Sequence, residues 1–108
     1  MIKNTINTYF NAFSNKDLKG LEKIFSEDIV LKDWEIFAEG KANVLKANQN
    51  IFKAVNSISV DLQEFYLDGL IAICLIEITI NEDKRLKVVD IIKFNDQIKI
   101  KEVSAFKQ

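Results

Sequence analysis

Between Leu70 and Ile80 the chain reads LIAICLIEITI, a nearly unbroken aliphatic and β-branched run carrying one charge, Glu77. Eleven residues fall well short of the roughly 20 that a membrane-spanning helix needs, and the β-branched content favours a strand. Polar turns bound the run, Asp68-Gly69 before it and Asn81–Lys84 after it. On either side lie further strand patterns. Ser57–Leu67 alternates Ile58, Val60 and Leu62 with Ser59, Asp61 and Gln63, and Arg85–Phe94 and Ile98–Phe106 follow. Long strands joined by short turns predict an antiparallel meander. Because Leu70–Ile80 is apolar on both faces, covering one face leaves the other exposed, which predicts a homodimer through the sheet.

The N-terminal half has a different period. Ile2, Ile6, Tyr9, Phe10 and Phe13 form a helical stripe. Ser14 or Asn15 is placed to cap a second helix carrying Leu18, Leu21, Ile24 and Phe25. Asp28–Glu35 alternates as a short strand, with Ile29, Leu31 and Asp33 on one side. Gly40 precedes a third helix with Val44, Ala47, Ile51, Phe52 and Val55 facing inward. Three helices ahead of a meander predict an α+β fold. With no repeat, linker or low-complexity segment, residues 1–108 read as a single domain.

Several chemistries are closed to this chain. It has no histidine, which removes Ser-His-Asp and Cys-His schemes and histidine-ligated metals. Its three glycines, Gly20, Gly40 and Gly69, are too far apart for a phosphate loop. Fifteen basic and 16 acidic residues leave a net charge of −1, which gives no field favouring nucleic acid or an anionic membrane. The lone Cys74 lies in the apolar run, as expected of a core thiol. No apolar stretch of signal-peptide length opens the chain, so a cytoplasmic location is the default expectation. Any catalysis must rest on carboxylates, Tyr, Lys or Arg85, and no cofactor or metal is expected.

Three residues stand out from their patterns. Asp90 is the one charge in the row Leu86, Val88, Asp90, Ile92, Phe94, and a buried carboxylate without a partner must find one or become protonated. Asp33 raises the same question on the Ile29–Leu31 face, where a solvated rim position is the alternative. Tyr9 sits in the first helical stripe, where a tyrosine ordinarily packs as core and bonds its hydroxyl. Trp34 either covers a pocket or meets a subunit, and Glu77 pairs with a cross-strand lysine or lines a pocket.

The segments YFNAFSNKDLKGLEKIFSEDIVLKD (9–33), EGKANVLKANQNIF (39–52) and VVDIIKFNDQIKIKEVSAF (88–106) resemble the nuclear transport factor 2-like superfamily, especially its SnoaL-like and ketosteroid isomerase-like branches. The resemblance implies a cone-shaped fold, with three N-terminal helices on a curved, mixed but mainly antiparallel sheet enclosing an apolar pocket. By comparison with ketosteroid isomerases it implies Asp33 as general base, with Tyr9 and a protonated Asp90 as the oxyanion-holding pair. Phe106 matches an aromatic near the end of the last strand. With Trp34, Phe13, Phe52, Val88 and Ile92 it makes the expected ligand-binding wall. Trp34 stands where these families commonly place a proline after the base. The implied partner is a small hydrophobic carbonyl compound, handled by an isomerase or cyclase. The alternative is a non-catalytic ligand-binding or dimeric interaction module of the same fold.

Overall fold

A computed structural model describes residues 1–108. Helices α1 (Ile2–Ser14) and α2 (Leu18–Ile24) lead into strand β1 (Phe25–Lys32) and a short β2 (Phe37–Glu39). Helix α3 (Lys41–Ala54) follows, then β3 (Ile58–Asp68), β4 (Ile71–Ile80), β5 (Lys84–Phe94) and β6 (Ile100–Lys107). The strands form one sheet in the order β2-β1-β6-β5-β4-β3, antiparallel throughout except where β1 lies parallel to β6. This is the expected α+β architecture, with the helices on one face of a curved mixed sheet.

Strand alternation sets what faces the helices. Along β5, Val88, Asp90, Ile92 and Phe94 are buried, and along β4 so are Ala72, Cys74 and Ile76. A register shift between Leu62 and Glu64 interrupts β3, as a bulge does, and returns Phe65 to the inner face opposite Cys74. Glu77 lies opposite Lys87 on the outer face. Ser14 ties α1 to the sheet, its hydroxyl accepting the Val60 N–H at 2.9 Å.

Several local expectations are corrected. Asp17, not Ser14 or Asn15, caps α2, its Oδ1 accepting the Gly20 N–H at 3.0 Å. Asn15 is committed to the end of α1, where its N–H meets the Asn11 carbonyl, and Ser14 is committed to β3. Phe25 opens β1 instead of closing α2, because it pairs in register with Ile100 of β6. The strand ends at Lys32, before Asp33, and the chain doubles back as β2, too short to show a period. In α3 the fully buried row is Val44, Asn48 and Phe52, a four-residue spacing, with Ala47 and Ile51 half-buried and Val55 beyond the helix end.

Candidate active site

A cavity of about 210 Å³ lies between the inner face of the sheet and the helices. Sixteen of its twenty lining residues are hydrophobic, and the exceptions are Asp33, Glu35, Asn48 and Asp90. Its floor is the alternating inner row of β4 and β5, its walls come from α1 and α3, and the turn after β1 forms part of its rim.

Tyr9 reaches the cavity from α1, one helical step from residues that bury themselves in the core. Its ring packs against Phe10, Phe13 and Phe25, with centroids 5.1, 6.1 and 6.2 Å away. The side chain is 5% exposed, and its hydroxyl makes no hydrogen bond within the protein. Burial first, then the charges of Asp90, Cys74 and Asp33, raise the phenol well above its ordinary range. It is therefore a neutral O–H donor.

Asp90 enters from the middle of β5, in register with Cys74 on β4 and Ala105 on β6. Neither neighbour offers a cation. The two ion pairs of the molecule, Lys41–Glu27 and Lys93–Glu102, lie elsewhere. Only 5% exposed and without an intramolecular hydrogen bond, the carboxyl is raised to about 7, chiefly by burial and further by the negative charge of Asp33. Below that pH it carries a proton that it can donate. The Cys74 thiol beside it is pushed up to about 12 by burial and by Asp90, which leaves it neutral and unreactive as a nucleophile.

Asp33 is half-buried just past β1, where its Oδ1 accepts the N–H groups of Glu35 at 2.7 Å and Ile36 at 2.6 Å. Its own N–H donates to the Ile36 carbonyl at 2.9 Å. An aspartate closing its own turn in this way has a fixed orientation, and Oδ2 makes no hydrogen bond. Tyr9, Asp33 and Asp90 line the same cavity, and the Asp33 charge raises both of the other groups.

The remaining expected wall divides. Phe13, Val88 and Trp34 line the cavity, with Trp34 41% exposed at the rim and Lys107 Nζ 5.8 Å from its ring centre. Phe52 does not line it. It stands behind Phe13 in an edge contact at 5.0 Å. Ile92 is fully enclosed in the core beyond the cavity. Phe106 is on the wrong face: it pairs with Val89, while Ala105 shares the inner face with Asp90, and it is 55% exposed outside. Asn48, which the sequence reading passed over, is 2% exposed and lines the cavity. Its signal was present as the polar member of the Val44–Phe52 row.

The raised Asp90 carboxyl makes stability depend on pH. Its proton is bound more tightly in the folded chain than in the unfolded one, so the contribution is complete below about pH 4 and is lost progressively as pH rises, until it is gone above about 7. The shift from 3.8 to about 7 corresponds to on the order of 4 kcal/mol. Thermal melts of wild type and Asp90→Asn across pH 4–8 should therefore diverge, the wild-type Tm falling relative to the variant. Parallel curves would show that Asp90 is not raised.

The chain matches the family model of the SnoaL-like domain over residues 6–103. No curated protein matches it in sequence. Solved structures that resemble it share the fold at low identity. A nuclear transport factor 2-like protein of unknown function from Cytophaga hutchinsonii superposes with a TM-score of 0.85 at 9% identity, covering 100% of this chain and 90% of that one. A candidate ketosteroid isomerase from Kribbella flavida gives 0.86 at 18%, over 99% and 77% of the two chains. An LEH-like epoxide hydrolase from M. tuberculosis gives 0.84 at 13%, over 97% and 80%. These names span different chemistries, so they speak to architecture alone. With the family model covering nearly its whole length, this chain belongs to the SnoaL-like domain family, on a nuclear transport factor 2-like fold.

Proposed function

We propose that the protein is a cofactor-free acid–base enzyme that acts on the carbon next to a carbonyl in a small apolar compound. The observation that carries this reading is that Tyr9 and Asp90, each only 5% exposed and neither hydrogen-bonded within the protein, line one apolar cavity together with Asp33. Asp33 Oδ2 takes the proton from the α-carbon. The C–H electron pair becomes the enolate C=C bond, and the carbonyl π pair moves to oxygen. Tyr9 and Asp90 hold that oxygen with hydrogen bonds that strengthen as its charge grows. Return of the proton from Asp33 to the far end of a conjugated system gives an isomerised product. Attack of the enolate carbon on a second carbonyl within the ligand would give a cyclised one.

Cavity size narrows the ligand. A cavity of about 150 Å³ accommodates benzene, and pockets for drug-sized molecules begin near about 300 Å³. At about 210 Å³ this cavity suits a compound of one or two rings, and a four-ring steroid would overfill it.

The outer face of the sheet supports a homodimer. Register places Tyr66, Ile73 and Ile91 in one cross-strand row, and Leu75, Val89 and Phe106 in the next. Tyr66 and Phe106 are each more than half exposed. An apolar patch of this kind on a sheet is the usual mark of a partner surface, and a second copy of the chain carries the same patch. No helix is long and apolar enough to cross a membrane, and a cytoplasmic setting fits the reading.

Cyclohex-3-enone, which gains conjugated-enone absorbance on isomerisation, tests the chemistry. Wild type should turn it over, with kcat/KM falling above about pH 7 as Asp90 ionises. Asp33→Asn should lose about 100-fold or more, and Tyr9→Phe and Asp90→Asn about 10²- to 10³-fold each. Equal rates for wild type and Asp33→Asn would overturn the enzymatic reading and leave a binding pocket. For the dimer, sedimentation at micromolar concentration should give twice the 12.4 kDa chain mass, and Ile73→Lys should give the monomer. A wild-type monomer contradicts the assembly.

A further inference from the structure

Asn48 is a polar group that the proposed reaction does not use. It stands on the buried row of α3 between Val44 and Phe52, 2% exposed, and it lines the cavity. Its amide makes no hydrogen bond within the protein, yet neither of its polar atoms is sealed off. The little exposure it keeps therefore includes the amide. A carboxamide can make up to four hydrogen bonds, and the protein supplies none of them. A leucine would leave no such unused hydrogen-bonding capacity in the cavity. The amide stands where a ligand can pair it.

Asn48 enters the cavity from a different wall than Asp90. Helix α3 packs over β1 and β2, whereas Asp90 is on β5, with β6 between β1 and β5. Two strand spacings separate β1 from β5, about 10 Å. No hydrogen bond joins Asn48 to Tyr9, Asp33 or Asp90. Apart from Asp33, Glu35, Asn48 and Asp90 the lining is hydrophobic, with Phe13, Ile51 and Leu31 among it. Two polar points separated by an apolar span match a ligand with oxygen at both ends and hydrocarbon between.

We infer that Asn48 is a specificity-determining residue that selects ligands bearing a second oxygen, a hydroxyl or a carbonyl, about one ring beyond the reacting carbonyl. Its amide supplies an N–H to a carbonyl, or both an N–H and an acceptor to a hydroxyl. A site built to bond a second oxygen rejects the analogue lacking it, because the amide is then left unpaired. This inference rests on Tyr9 and Asp90 being the carbonyl-binding pair.

The experiment measures binding of three probes by fluorescence: 2-naphthol, which offers one oxygen, and 2,6- and 2,7-dihydroxynaphthalene, which offer two. Wild type should bind at least one diol about tenfold or more tightly than 2-naphthol, one such factor being worth about 1.4 kcal/mol. Asn48→Leu should abolish that preference and leave 2-naphthol within about twofold. Asn48→Ala, which cannot clash, should abolish the preference likewise. A diol preference that survives both variants overturns the inference. So does an equal loss for all three probes, which would put Asn48 on the first oxygen. Tyr9→Phe separates the two levels. If it weakens every probe while the Asn48 variants change no preference, only the inference about Asn48 fails. If it weakens none, the carbonyl-binding pair itself is wrong, and the inference falls with it.

Discussion

The carboxyl of Asp90 is enclosed between two strands and an aromatic helix, with no cation and no hydrogen-bond donor from the protein to hold its charge. Desolvation of this kind disfavours the ionised form, and the second carboxylate at Asp33 acts in the same direction. Much of the site follows from that one constraint. In the proposed reaction the protonated carboxyl donates a hydrogen bond, the buried phenol that lines the same cavity donates another, and the carboxylate fixed by its own turn supplies the base. Two carboxyl groups of the same chemical type are thus given different work by their surroundings. One is a buried mid-strand residue, and the other lies half-exposed in a turn.

The fold serves this separation. β5 is an interior strand with partners on both sides, so a residue at its centre is far from either sheet edge. Asp33, by contrast, follows the last residue of β1, where the backbone must reverse and its N–H groups need an acceptor. The aspartate is both the closing element of the turn and a wall of the cavity, so Oδ1 is committed to structure while Oδ2 makes no hydrogen bond. α1 brings Tyr9 against this space because the residues around it in the stripe, Ile2, Ile6 and Phe10, are buried in the core. Placing a functional group on a rigid, well-packed helix limits the motion of its hydroxyl.

Periodicity made much of this legible in the sequence. Asp90 is conspicuous because a strand alternates with period two, and the row Leu86–Phe94 has no other charge. Tyr9 is found from the helical stripe in the same way. What alternation could not convey was where a strand stops and which neighbour it meets. Asp33 was read as part of β1, although it belongs to the turn, because a side chain accepting its own downstream N–H groups leaves no periodic trace. The family resemblance, not the strand period, puts Phe106 on the cavity wall. The β5–β6 register instead gives the inner position to Ala105 and turns Phe106 outward, toward the apolar outer face. Asn48 lies between Val44 and Phe52, both of which the helical period turns inward, but an amide in a helix is usually solvated and the packing of α3 is what shows it buried.

The most direct measurement is an NMR titration of the Asp90 side-chain ¹³Cγ resonance in the free protein, assigned by its loss in Asp90→Asn. A single transition near pH 7, with no inflection near an ordinary carboxyl value, is the predicted result. It would establish a protonated donor in the cavity under mildly acidic to neutral conditions. A transition near 4 would mean that the carboxyl is solvated or paired in solution, and the account of the site built on it would be wrong.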